Sequence, residues 1–95
     1  MKKLKHGWVE GSVKEFLKLS SADMEYIETR RALGRQLRAE RQKQHLTQSE
    51  LASRLKTSQS RVAKMEQADV TVSLDLLIQS LYRVGLTRKH VAAAM

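Results

Sequence analysis

The stretch from Thr47 to Gln67 constrains the fold of this chain most, because it contains two helix starts close together. Thr47 and Glu50 have the spacing of a capping box, in which each side chain bonds the other residue's backbone N–H. Ser58 is a second N-cap residue. The pattern predicts two short helices joined by a short turn, each burying one apolar face. The residues predicted to be buried are Leu51, Ala52 and Leu55 in the first helix and Val62 and Met65 in the second.

The positive charge of the chain is concentrated on this stretch and on the residues before it. The formal net charge is +8. Residues 29–65 contain ten basic and two acidic side chains, whereas residues 1–28 and 66–95 are each balanced. A solvated charged face is the ordinary interpretation of such a run. Its concentration around a polar helix nevertheless favours a polyanionic partner.

Composition argues against several other classes of protein. The chain has 95 residues, no cysteine and no proline, which predicts one small cytoplasmic domain without disulfides or thiolate metal sites. A core of this size favours dimerisation. No apolar run reaches the length of a membrane span, and residues 1–12 lack the apolar stretch of a signal peptide.

An enzyme is not expected from the distribution of histidines and motifs. The three histidines, His6, His45 and His90, are far apart and have no metal-ligand spacing. No nucleophile elbow, phosphate-binding loop or dinucleotide fingerprint is present. We therefore expect a binding protein with no catalytic residue, metal or cofactor.

The rest of the chain also reads as helical. Further N-caps are predicted at Ser20, Ser73 and Thr87, and Gly85 is predicted to end the helix that begins at Ser73. Residues 1–19 are expected to form an arm of 11 residues and a short helix. Residues 20–95 are expected to form a compact all-α domain of five helices.

The first helix of this domain is expected to run from Ser20 to about Gln44. Residues predicted to line its inner side are Tyr26, Ile27, Leu33 and Leu37. Gly34 costs about 1 kcal/mol relative to alanine inside a helix. Its presence predicts the close approach of another helix.

These residues resemble a known family. The order Gln48, Leu51-Ala52, Leu55, Val62, Met65, Glu66 looks like the helix-turn-helix of phage-repressor and Cro-like (XRE) regulators. Residues 11–86, with GSVKEFLKLSSADMEYIETRRALGRQLR, LTQSELA, SQSRVAKME and VSLDLLIQSLYRVG, further resemble HigA-type antitoxins of toxin–antitoxin pairs. The resemblance implies a phage-repressor-like domain that represses its own operon and neutralises a RelE/HigB-like ribonuclease toxin.

The second helix of the motif is expected to read DNA. With Val62 and Met65 facing the core, a turn of 100° per residue points Ser60, Lys64 and Gln67 away from it. The residues expected to read bases are Gln59, Ser60, Arg61 and Lys64. The alternative for each is a contact with phosphate only. Phosphate contacts are expected from Thr47 and Gln48 at a helix N-terminus and, on charge alone, from Arg38, Lys43, Arg54 and Lys56.

The resemblance also implies an ion pair and two departures from the family pattern. Arg41 and Glu66 match a partly buried pair that ties the first helix to the recognition helix. Lys56, in the turn of the motif, and His45, before the motif, stand where the family usually has glycine. A lysine in left-handed conformation costs about 1 kcal/mol, so a departure from the family geometry is expected first in this turn.

Three functions remain open on the sequence alone. The first is an antitoxin that binds a palindromic operator in double-stranded DNA as a homodimer and holds its toxin through an N-terminal surface. The candidate toxin contacts are Trp8, Phe16 and Leu17. The second is a stand-alone phage- or plasmid-type repressor, and the third is a protein–protein adaptor. Residues 86–95 are the first candidate for the dimer surface.

Overall fold

The structure is a computed structural model and describes residues 20–95. The predicted N-terminal arm, its short helix and the candidate toxin contacts lie outside the described residues. The five helices are α1 (Ser21–Lys43), α2 (Gln48–Leu55), α3 (Gln59–Glu66), α4 (Leu74–Arg83) and α5 (Arg88–Ala94). No strand occurs between residues 20 and 95. The prediction of a five-helix, all-α domain is confirmed.

Each helix begins directly after an N-cap residue that the sequence predicted. Ser20 with Asp23, and Thr47 with Glu50, form complete capping boxes at the starts of α1 and α2. Ser58 caps α3 through the backbone N–H of Arg61. The other two starts lie at Ser73, which caps α4 through Leu76, and Thr87, whose backbone N–H donates to His90 Nδ1 at 3.1 Å.

The first four helices end in the same way. At each end a residue with positive φ bonds the carbonyl three residues back, and the next N–H bonds the carbonyl five residues back, which is the Schellman arrangement. The residues with positive φ are His45, Lys56, Ala68 and Gly85. Only the last is a glycine. The sequence singled out His45, Lys56 and Gly85, but not Ala68.

The core lies where α1 crosses the helices that follow it. Its fully buried side chains are Leu33, Leu37, Leu51, Val62, Met65, Leu77 and Leu81. A Cβ on Gly34 would lie 2.8 Å from the carbonyl oxygens of both Met65 and Glu66. Gly34 therefore permits the close contact between α1 and the end of α3, as predicted.

The N-terminal half of α1 differs from the prediction. Tyr26 is 50% exposed and Ile27 only partly buried, so Tyr26 does not line the core. The inner position there belongs to Arg30, whose guanidinium group lies 5.9 Å from the centre of the Tyr26 ring. Helical spacing placed Tyr26 on the inner side of α1 and made no prediction for Arg30. It did not reveal that Arg30 finds backbone acceptors on the loop that follows α3.

Candidate nucleic-acid interface

The α2–turn–α3 unit holds α3 at the surface. The turn depends on Lys56, which adopts φ 57° and ψ 48°, and on a bond from the N–H of Thr57 to the carbonyl of Ala52 at 2.9 Å. Ala52 is buried and small, which allows the two helices to pack closely. The left-handed turn is therefore retained although lysine replaces the usual glycine.

Helix α3 presents one polar and basic face to solvent. Val62 and Met65 are fully buried and anchor the helix on the core, as expected. The predicted base-reading residues, Gln59, Ser60, Arg61 and Lys64, are all exposed. A helix held by a partner helix with such a face has the size and chemistry that a DNA major groove accepts. The individual contacts with bases remain predictions.

A cleft of about 220 Å³ runs between α3 and the loop that leads into α4. Its lining residues are Ser58, Ser60, Arg61, Lys64, Thr71 and Val72. Three of the four expected base-reading residues thus share one concave surface with the α3–α4 loop. Two positive charges and several hydroxyl groups give this surface the chemistry of a nucleic-acid contact.

The ion pair between Arg41 and Glu66 ties the C-terminal end of α3 to α1. Arg41 Nε lies 2.6 Å from Glu66 Oε2, and Arg41 Nη2 lies 3.2 Å from Oε1. The two side chains are 12% and 3% exposed. The hydrogen bonds to Glu66 raise the pKa of Arg41 above its usual value, against an opposing effect of burial. Arg41 Nη1 also donates to the carbonyl of Leu46 at 2.8 Å, so α1, α3 and the α1–α2 turn meet at one guanidinium group.

Gln48 belongs to the same network. Its Nε2 donates to Glu66 Oε1 at 3.1 Å, and its side chain is partly buried. The N-terminus of α2 is therefore tied to the C-terminal end of α3. A phosphate contact by Gln48 remains a prediction and has to coexist with this bond.

The other predicted phosphate contacts differ in their positions. Arg38, Lys43 and Lys56 are exposed. The hydroxyl of Thr47 accepts from the N–H of Glu50 at 3.0 Å and so caps α2. Arg54 Nη1 faces Gln44 Oε1 at 3.4 Å.

Arg54 lies apart from the cleft. Its neighbour Gln44 also bonds the carbonyl of Val84, which follows the last residue of α4. The cleft lies at the other end of α4, beside Val72. Ten helical residues separate these two ends, a distance of about 15 Å at 1.5 Å per residue. The structure therefore does not bring Arg54 together with Arg61 and Lys64.

Sequence reasoning missed the α3–α4 loop as part of this surface. Asp69 Oδ1 accepts from the N–H and the hydroxyl of Thr71, and the Asp-Val-Thr order is a recognisable signal for such a turn. Arg30, which is buried on α1, donates to the carbonyls of Asp69 and Val72. No local pattern indicated that contact, since the partners lie about 40 residues apart in sequence.

The part of the chain that the structure describes contains neither a candidate metal site nor a candidate membrane span. Within residues 20–95, no group of three or more histidine or acidic side chains is placed to hold a metal ion. None of the helices in the same range has the length and hydropathy needed to cross a membrane.

Comparison with known proteins agrees with this geometry. The family model described as a helix-turn-helix domain matches residues 16–89, well over half of the chain. The protein therefore belongs to the helix-turn-helix domain family, which suggests a DNA-binding regulator, and enzymes are not typical of this family. No curated protein and no solved structure matches the chain.

Proposed function

We propose that this protein is a sequence-specific DNA-binding transcriptional repressor. The observation that carries the proposal is the exposed face of α3, formed by Gln59, Ser60, Arg61 and Lys64. The opposite side of the helix is fully buried at Val62 and Met65, and the Arg41–Glu66 pair ties α3 to α1. The role is one of binding, so no catalytic activity, metal or cofactor is proposed. A protein of this kind works in the cytoplasm, where its DNA is.

Base reading would follow from the chemistry of the α3 side chains. The amide of Gln59 can pair with both the N6 and N7 positions of adenine, and Arg61 or Lys64 can donate to O6 and N7 of guanine. Ser60 can donate or accept at several base edges. The N-terminus of α2, at Thr47 and Gln48, offers backbone N–H groups to a phosphate.

Additional phosphate contacts would orient the domain on the duplex without reading sequence. We propose Arg38, Lys43 and Lys56 for this role, because they are exposed and lie in the basic part of the chain. Arg54 stays in the same proposal with less support, since its guanidinium group lies at the far end of α4 from the cleft.

A homodimer would supply the length of DNA that one α3 helix cannot read. Two copies with recognition helices about 34 Å apart would fit a palindromic operator. The proposed pairing surface is the end of the domain around residues 86–95. There Leu86, Val91 and Ala94 pack on the core of their own chain, while Met95 is 64% exposed.

The antitoxin role is the more specific part of the proposal and is supported by the resemblance to HigA-type antitoxins. In that role, residues 20–95 would form the DNA-binding domain, and residues 1–19 would contribute Trp8, Phe16 and Leu17 to a RelE/HigB-like toxin. Co-expression with the product of the neighbouring gene tests it. Rescue of growth by this chain supports an antitoxin, whereas a neighbour that is harmless alone favours a stand-alone regulator.

The direct test of DNA binding uses fluorescence anisotropy with a palindromic DNA selected by the wild-type protein. Lys64→Ala removes a charge from the α3 face, and we expect it to weaken binding at least tenfold. Arg83→Ala is the matched control, because it removes one exposed charge from α4. Equal losses in both variants would show that net charge, and not the α3 face, drives binding. Failure of the wild-type protein to select any DNA would favour the protein–protein adaptor.

A further inference from the structure

The loop after α3 carries the most exposed large apolar side chain within residues 20–95. Val70 is 93% exposed, compared with 64% for Met95 and 50% for Tyr26. Contact with another apolar group removes part of an aliphatic side chain from water, and this lowers the free energy. One valine is far too small to form a stable protein interface by itself. A contact made by Val70 therefore has to belong to a larger surface that neighbouring residues also bind.

The loop holds Val70 in a defined position. Ala68, with φ 55°, bonds its N–H to Met65, and the N–H of Asp69 bonds the carbonyl of Lys64 at 2.9 Å. Asp69 Oδ1 then accepts from the N–H of Thr71 at 2.9 Å and from its hydroxyl at 2.7 Å. Val70 lies between these bonded residues, and its own side chain takes no part in them.

A buried arginine supports the loop from the protein side. Arg30 is 8% exposed and donates through Nη2 to the carbonyl of Asp69 at 2.8 Å and to the carbonyl of Val72. Both ends of the segment that contains Val70 are thereby fixed to α1. A side chain presented on so constrained a segment loses little conformational freedom on binding.

The loop lies beside the face of α3 that is proposed to contact DNA. Thr71 and Val72, which follow Val70, line the same cleft as Arg61 and Lys64 on α3. A duplex that contacts α3 therefore also approaches the loop. Asp69 precedes Val70 in the chain, and an aspartate carboxylate is ionised at neutral pH. The hydrogen bonds from Thr71 lower the pKa of Asp69 further. Its negative charge disfavours a phosphate beside Val70. The remaining small apolar group in the major groove is the C5-methyl group of thymine.

We propose that Val70 contacts a thymine C5-methyl group in the operator, which makes the segment 68–72 a second base-reading element beside α3. This inference rests on the proposed DNA-binding function. It adds a specificity contact outside the helix-turn-helix motif itself.

The test replaces single thymines by uracil, which lacks only the C5-methyl group, in the selected operator. Loss of one buried methyl group corresponds to about a fourfold change in affinity. We expect wild-type protein to bind about threefold to fivefold more weakly when one thymine, or its symmetry mate, is replaced. Val70→Ala should bind the thymine and uracil duplexes equally. Val70→Ile, which keeps a branched apolar side chain, should retain the preference.

The outcomes separate this inference from the proposed function. If wild-type protein binds the operator selectively but Val70→Ala keeps the same sensitivity to uracil, the inference is wrong and the DNA-binding function stands. If Val70→Ala weakens binding to both duplexes equally and dissociates the protein in sedimentation experiments, Val70 contacts a second copy instead, which also overturns the inference. If wild-type protein shows no sequence preference, both proposals fail.

Discussion

At the scale of single residues, the partly buried Arg41–Glu66 pair links α1 to α3. Glu66→Ala leaves the guanidinium group of Arg41 buried with only the carbonyl of Leu46 as acceptor, and breaking a buried pair in this way costs about 3 kcal/mol or more. We expect a clear fall in the melting temperature, measured by circular dichroism.

The control for that substitution is an exposed ion pair on the same helix. Arg35 and Glu28 lie 2.9 Å apart, with side chains 63% and 59% exposed, and such pairs contribute about 0–1 kcal/mol. Glu28→Ala should therefore change stability very little. A melting temperature of Glu66→Ala that stays within about a degree of wild type would show that the buried pair does not stabilise the domain.

Substitution of Lys56 gives a second test at the residue scale, because replacing this native residue by glycine is expected to stabilise the domain. A left-handed residue with a Cβ costs about 1–2 kcal/mol, and glycine avoids that cost but adds entropy to the unfolded chain. We expect Lys56→Gly to raise the free energy of unfolding by about 0.5–1 kcal/mol. Lys56→Ala, which removes the charge but keeps the Cβ, should not. Destabilisation by Lys56→Gly would show that the lysine side chain itself stabilises the turn.

At the scale of helices, the packing of α1 on α3 depends on Gly34. Alanine in place of glycine usually stabilises a helix by about 1 kcal/mol. Here the new Cβ would meet two backbone oxygens at 2.8 Å, and α1 would have to move away from α3. We expect Gly34→Ala to destabilise the domain by about 1–3 kcal/mol in chemical denaturation. Ala39→Gly, at an exposed position of α1, measures the helix-propensity term alone. A stabilised Gly34→Ala variant would contradict the observed close approach.

The sequence predicted the helices better than their contacts, for a physical reason. Capping boxes and Schellman ends are local, so Ser20, Thr47, Ser58 and Gly85 identify helix ends without knowledge of the fold. The exposed face of α3 followed from helical periodicity for the same reason. Arg30 could not be placed in this way, because its acceptors are carbonyl groups far away in sequence. Ala68 has no side-chain signal for a left-handed conformation.

At the scale of the whole molecule, the distribution of charge supports a polyanionic partner. The residues that carry the net charge of +8 lie in α1, α2 and α3 and the turns that join them. If the partner is a polyanion, each phosphate neutralised releases counterions, and the logarithm of the binding constant falls with the logarithm of salt concentration with slope about −0.9 per contact in duplex DNA. We expect a slope that corresponds to several phosphate contacts. Lys56→Gln should reduce it by about one contact, whereas Arg83→Gln, on α4, should leave it unchanged.

The proposed function depends above all on the reading of a DNA sequence by the exposed face of α3. The most direct measurement is in vitro selection from a random DNA library, followed by sequencing, for wild-type protein and for Gln59→Ala and Lys64→Ala. We expect a two-fold symmetric site for wild-type protein, with preference relaxed at one base pair per half-site in each variant. Enrichment of no sequence, or of the same site with unchanged preferences in both variants, would contradict it.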